Sequence, residues 1–172
     1  AGGGKIYIFG LETDGSRIYA FDQGDMSLSF KTAVISGRQI ESPILYYDGY
    51  VYAGVYGGSK EKPAQFACFD ATKDSDGELA PTWTYSETVY HNRGGYLWSG
   101  PTIVGEAIVF TNTNGYITSL NRKTGEMIDT YLIPEDFQGG EQLTTTPYYY
   151  EKNQRLYVST AGTYGGILGI KM

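Results

Sequence analysis

Cysteine and histidine are nearly absent: Cys68 and His91 are the single examples in 172 residues. One cysteine excludes an internal disulfide, and one histidine excludes a multi-histidine metal centre. Basic residues are scarce too, 13 against 19 acidic, for a net charge of −6. That balance makes nucleic acid and anionic membrane poor partners. No apolar run approaches the roughly 20 residues of a membrane-spanning helix. No secretory leader stands at Ala1, as expected of a mature or trimmed chain. Low cysteine fits the cytosol, and it fits surface proteins of bacteria that avoid the residue. The Tyr-, Gly- and Thr-rich, weakly acidic composition favours the second setting, extracellular or in the cell envelope.

What is abundant points to strands. The chain holds 24 glycines and 17 tyrosines. Tyrosine suits pleated, half-buried surfaces, and glycine punctuates turns. A layout of strand, polar turn and strand is clearest in "GYITSLNRKTGEMIDTYLI" (115–133), and weaker copies recur. Ala20-Phe21-Asp22, Cys68-Phe69-Asp70, Ser119-Leu120-Asn121 and Gly169-Ile170-Lys171 are equivalent triplets of small, apolar and polar residues. The first three are followed at corresponding positions by Phe30, Trp83 and Asp129. A second marker precedes each hairpin: Ser42-Pro43, Gly100-Pro101 and Thr146-Pro147. Each hairpin then turns at Asp48-Gly49, Gly105-Glu106 or Lys152-Asn153. Pro101 and Pro147 are 46 residues apart, whereas Pro43 and Pro101 are 58 apart. Nearly all of the excess falls in "YGGSKEKPAQF" and "TKDSDGELAPT", which read as loop insertions.

A period of 40–50 residues with four strands per unit is the mark of a propeller blade. The pattern of Ser-Pro, strand, Asp-Gly, strand, strand, Asp, Thr-Gly and Trp resembles the quinoprotein-type repeat, the pyrroloquinoline-quinone-like β-propeller family. The resemblance covers nearly the whole chain. It implies an all-β fold of four-stranded antiparallel blades, about four of them, as half or a fragment of an eight-bladed ring. It also implies that Phe30 and Trp83 fill a docking slot between blades, and that Asp129 weakens the corresponding contact. The expected organisation is one partial propeller domain over residues 1–172, with repeats at 5–34, 41–88, 99–134 and 145–172. The first unit lacks its first strand and the last unit its fourth, which gives 14 strands. The missing blades are absent or supplied by a second copy, since open edges invite association.

The resemblance does not carry a reaction, because this repeat serves enzymes, scaffolds and surface proteins alike. Propeller geometry sends the loops before each first strand to one rim. These loops bring Arg38, Gln39, Glu41, His91, Asn92, Arg93, Tyr96, Trp98, Glu141 and Gln142 to one side as ligand-binding candidates. Two arginines, amides and exposed aromatics suit a polar small molecule, a glycan or a protein. No catalytic residue and no metal ligand is assigned. Asp74 and Asp76 resemble the middle of a calcium loop, but Trp83 stands where the bidentate Glu belongs. Cys68 reads as a small buried hydrophobe. Family enzymes often stack the quinone on an adjacent Cys-Cys disulfide, and this chain has no such pair, so no cofactor is expected. The leading reading is a non-catalytic binding or scaffold module of a bacterial surface or envelope protein. The alternatives are a fragment of a quinone-dependent oxidoreductase and a carbohydrate-binding propeller, for which Glu41 and Glu141 are the candidate carboxylates.

Overall fold

A computed structural model describes residues 1–13, 15–38, 40–57, 63–73, 77–86, 95–134, 143–160 and 165–172. Among these the chain is all β, with fifteen strands and one 3-10 turn at Glu151–Asn153. The first sheet holds β1 (Lys5–Glu12), β2 (Gly15–Asp22), β3 (Leu28–Thr32) and β7 (Glu78–Leu79) in that order. The second holds β4 (Leu45–Tyr47), β5 (Tyr50–Gly54), β6 (Gln65–Asp70) and β8 (Trp83–Ser86). The third holds β9 (Thr102–Val104), β10 (Ala107–Thr111), β11 (Tyr116–Asn121) and β12 (Met127–Leu132). The fourth holds β13 (Tyr148–Tyr150), β14 (Arg155–Ser159) and β15 (Ile167–Lys171). This is the architecture of a partial β-propeller, with the sheets as blades.

The repeat is visible in single hydrogen bonds. After the third strand of each unit, one backbone N–H returns to the preceding hairpin turn. Gln23 donates to the Gly4 carbonyl, Ala71 to Gly49, Arg122 to Glu106 and Met172 to Gln154, all at 2.8–3.0 Å. The residue before the donor closes the next turn with its side chain: the Asp22, Asp70 and Asn121 Oδ1 atoms each accept from the N–H two residues on. That Asx turn is why Asp or Asn recurs in this column. At Asp48-Gly49 both residues have positive φ, 51° and 83°, the mirror-image turn that matches strand twist.

Strand alternation sorts side chains into three buried clusters among the described residues, one for each contact between successive sheets. Ile18, Ala20 and Phe30 of the first sheet meet Val51, Ala53, Ala67 and Phe69 of the second. Tyr52, Phe66, Cys68 and Trp83, on the opposite face of that second sheet, meet Ile108, Phe110 and Leu120 of the third. Val109 and Ile117 of the third meet Leu156 and Val158 of the fourth. A period of two thus gives each middle sheet two apolar faces.

The Trp83 side chain is buried between the second and third sheets. Its Nε1–H donates to the Arg122 carbonyl at 3.1 Å, and the Tyr52 hydroxyl donates to the same oxygen at 3.2 Å. Gly125, at φ 74°, lies so close to the indole that an added Cβ would come within 2.6 Å of Trp83 Cγ. Glycine there is a requirement of the slot as well as of the turn. The Arg122 guanidinium reaches across to Asp48 at 3.1 Å and Glu106 at 3.3 Å, and lies over the Tyr47 ring. Phe30 fills the corresponding slot between the first two sheets. Asp129 leaves the slot between the third and fourth sheets without an aromatic. A cavity of about 270 Å³ lies there, lined in part by Val109, Ile117, Asp129, Leu156 and Ile170.

Two sequence expectations are corrected. The structure has a fifteenth strand, β7, inside the segment read as a plain loop insertion. Its Glu78 and Leu79 pair in parallel with Lys31 and Thr32, so an insertion of the second unit extends the first sheet. Leu79 joins the core between these sheets, and Glu78 receives Arg17 at 2.8 Å. The last hairpin does not turn on Lys152-Asn153 alone; it uses the 3-10 turn and Gln154 at φ 53°.

Trp83→Ala should cost about 3–5 kcal/mol in chemical denaturation, as a large core deletion. Trp98→Ala, at a side chain 63% exposed, should change stability by no more than about 0.5 kcal/mol. The reverse ranking would contradict the assignment of Trp83 to the slot.

Candidate rim binding site

The loops before the first strands of the second and third sheets are fixed at their bases. Ser16 and Ile35 exchange backbone hydrogen bonds, and Arg38 N–H donates to the Tyr56 carbonyl at 2.8 Å. Gly57 has φ 79°, and a Cβ there would meet the Arg38 Cβ at 2.7 Å. The exposed Arg38 side chain therefore rises from a closely packed base. Around it Leu11, Glu12, Thr13, Gly15, Gly37 and Gly57 line a cavity of about 330 Å³. Glu12 also accepts from the Tyr19 hydroxyl at 2.7 Å and pairs with Arg17 at 3.5 Å. The cavity lining thus includes both a cation, Arg38, and an anion, Glu12, a lining suited to hydrogen-bonding ligands.

Trp98 is the second feature of the rim. Its φ is 55°, a left-handed conformation that a bulky residue adopts only when its surroundings impose it. The neighbours do so. Leu97 and Ser99 are buried, Ser99 Oγ bonds Thr111 Oγ1 and donates to the Thr145 carbonyl, and Gly100 N–H donates to Thr146 Oγ1 at 2.9 Å. The result is an indole held out to solvent from a fixed base.

Tyr96 is not an exposed rim aromatic. It is fully buried, edge-on to Phe66 at 5.3 Å and to Phe110 at 5.4 Å. The glycine-flanked loop sends it inward because Gly54 opposite has no side chain; a Cβ there would meet Tyr96 Cβ at 2.5 Å. Glu41 is half-buried. Gln39, His91, Asn92, Arg93, Glu141 and Gln142 lie outside the described residues, as do Asp74 and Asp76. Of the ten rim candidates, the described loops therefore expose Arg38 and Trp98. Among the described residues no group of three His, Cys, Asp or Glu side chains is placed to hold a metal ion, and no helix is long and apolar enough to cross a membrane.

Cys68 lies in the buried face between the second and third sheets, its Sγ 4.0 Å from the Arg122 carbonyl. Burial pushes its thiol up to about 12, the largest of several influences. At neutral pH it is a protonated packing group rather than a nucleophile.

With this geometry in hand, known structures place the fold. The chain is similar to BamB from Moraxella catarrhalis, with TM-score 0.64 and 17% identity over 99% of this chain and 44% of that one. It is also similar to the quinohemoprotein alcohol dehydrogenase ADHIIG from Pseudomonas putida HK5, with TM-score 0.66 and 18% identity over 91% of this chain and 27% of that one. A europium-containing methanol dehydrogenase matches with TM-score 0.67 and 13% identity, over 95% and 35%. These are quinoprotein-type propellers, so the fold is the one that the repeat implied. The chain spans less than half the length of each. No family model and no curated protein matches it.

The folded chain should react with a thiol reagent at pH 8 only as fast as it unfolds, while the urea-unfolded chain reacts at the rate of an ordinary cysteine. Prompt labelling of the native protein would contradict the buried, protonated state of Cys68.

Proposed function

We propose that residues 1–172 form a single non-catalytic binding module whose rim takes a protein or a polar ligand such as a glycan, in a bacterial cell-surface or envelope protein. The observation that carries this reading is Trp98: an indole 63% exposed, on a left-handed residue between buried neighbours. Strain of this kind concentrates where a side chain must be presented, and tryptophan and arginine are the residues most enriched at binding hot spots. Arg38 beside its cavity supplies a charge-assisted donor on the same rim.

The second reading, a fragment of a quinone-dependent oxidoreductase, is favoured by the likeness to two dehydrogenases. Against it stands the lone Cys68, buried between sheets, where it supplies no disulfide platform for a planar quinone.

Two titrations separate these readings. Peptides and oligosaccharides screened by tryptophan fluorescence should give ligands whose binding is lost in Trp98→Ala and weakened about tenfold or more in Arg38→Ala, with melting temperatures unchanged. Ligands indifferent to both substitutions would contradict the rim reading. Calorimetry with pyrroloquinoline quinone, with and without calcium, should give no binding; a dissociation constant in the micromolar range or below, lost in Arg38→Ala, would favour the oxidoreductase.

A further inference from the structure

The cavity of about 330 Å³ beside Arg38 lies where three loops of the first two sheets meet: the β1–β2 turn, the loop before β4 and the loop after β5. Glycines hold these loops against their neighbours. Gly37 has φ 130°, and a Cβ there would collide with Val55 Cγ1. Gly15 has φ 152°, and a Cβ there would collide with the Ile35 carbonyl oxygen. The volume is near the lower end of the roughly 300–1,000 Å³ of ligand sites, which suits one small unit of a ligand. The polar groups of the lining are unequally engaged. Glu12 Oε1 takes both the Tyr19 hydroxyl, at 2.7 Å, and Arg17 Nε, at 3.5 Å, so Oε2 is left without a partner among the described residues. The charge of Glu12 is already balanced, because Arg17 and Lys31 together offset Glu12 and Glu78. Arg38 makes no ion pair among the described residues. Gly37 and Gly57 donate their N–H groups to none of them.

We propose that this cavity binds a sugar unit that carries a carboxylate, with Arg38 on the carboxylate and the free Glu12 oxygen and glycine N–H groups on the hydroxyls. The assignment rests on the rim being the binding face, and it names the class of ligand. The one unbalanced charge in the lining is a cation, which matches a single anion. A guanidinium offers a carboxylate two N–H groups in a planar fork, the geometry that makes such pairs strong. A phosphate monoester carries about −1.5 to −2 charges and would meet the Glu12 carboxylate in the same cavity; a carboxylate carries one. The groups that remain are an acceptor, Glu12 Oε2, and two donors, the N–H of Gly37 and of Gly57. A hydroxyl donates and accepts, so the hydroxyls of one ring serve both kinds of partner. An amide N–H only donates and an amide carbonyl only accepts, so the lining favours a sugar acid over an acidic peptide.

The test is titration of the isotope-labelled chain, followed by the backbone amide resonances of Gly37 and Gly57. The ligands are D-glucuronate and D-galacturonate, each against its neutral parent sugar, and a short glutamate-rich peptide. At least one sugar acid should shift both resonances to saturation and bind about tenfold or more tightly than its neutral parent, the effect of one charge-assisted contact. Arg38→Ala should abolish that preference with the melting temperature unchanged, and Arg38→Lys should restore only part of it. Acidic and neutral sugars bound alike, a peptide bound more tightly than both sugar acids, or no shift at Gly37 and Gly57 with any sugar acid overturns the assignment. If ligand binding is still lost in Trp98→Ala, the rim reading survives that result; binding indifferent to both Trp98→Ala and Arg38→Ala overturns the two together. The comparison of acid with neutral sugar uses the wild type alone, so it decides the matter even where a substitution disturbs the loop.

Discussion

The carbonyl oxygen of Arg122 is the point on which the centre of the molecule turns. It accepts from the Trp83 indole and from the Tyr52 hydroxyl, both in a buried interface. A buried carbonyl with partners is cheap, but two buried donors without an acceptor cost about 1–3 kcal/mol each. The turn that carries Arg122 must therefore stand where it does, and its own geometry ensures this. Arg122 N–H is tied to Glu106, Gly125 clears the indole, and the guanidinium is gripped by Asp48 and Glu106. One residue thus locks the second sheet to the third through its backbone and its side chain together.

The other contacts show what happens as that arrangement is relaxed. Phe30 fills the slot between the first and second sheets with an apolar ring, and β7 adds a strap from one sheet to the other. Asp129 supplies no ring, and a cavity remains between the third and fourth sheets. Stability in a stack of repeats is a sum of unit and neighbour terms, so these contacts are unequal by construction. The rim is built on the stronger half: the loop that presents Trp98 is bracketed by Tyr96, plugged between Phe66 and Phe110, and by Ser99, bonded to Thr111.

Much of this was legible in the sequence because repeats write the same physics several times. The triplets at Ala20, Cys68, Ser119 and Gly169 marked the third strands, and the repeat spacing together with the family resemblance put Phe30 and Trp83 in the docking slot; the register sets them opposite Ala20 and Cys68. What was not legible depended on single events outside the repeat. Glu78-Leu79 is too short to show periodicity, and its pairing with another unit is a tertiary choice. Tyr96 sat in a glycine-rich loop that reads as exposed; the signal of its burial was Gly54, sequence-distant and meaningful only once the two are face to face. The strain at Trp98 has no sequence signature, since its φ is imposed by partners on other strands.

The proposed rim site lies where the repeat is broken, at Arg38 and Trp98, while the fold rests on the aromatic slot between sheets. The most direct measurement of that central claim is the thermal unfolding of Asp129→Trp. If a ring in this position is what joins successive sheets, the new indole fills the cavity among Val109, Ile117, Leu156 and Ile170, and the chain gains about 0.5–2 kcal/mol, the usual return for a filled cavity. An unchanged or lower melting temperature, in a variant that still folds, would mean that the slot does not set the strength of the contact.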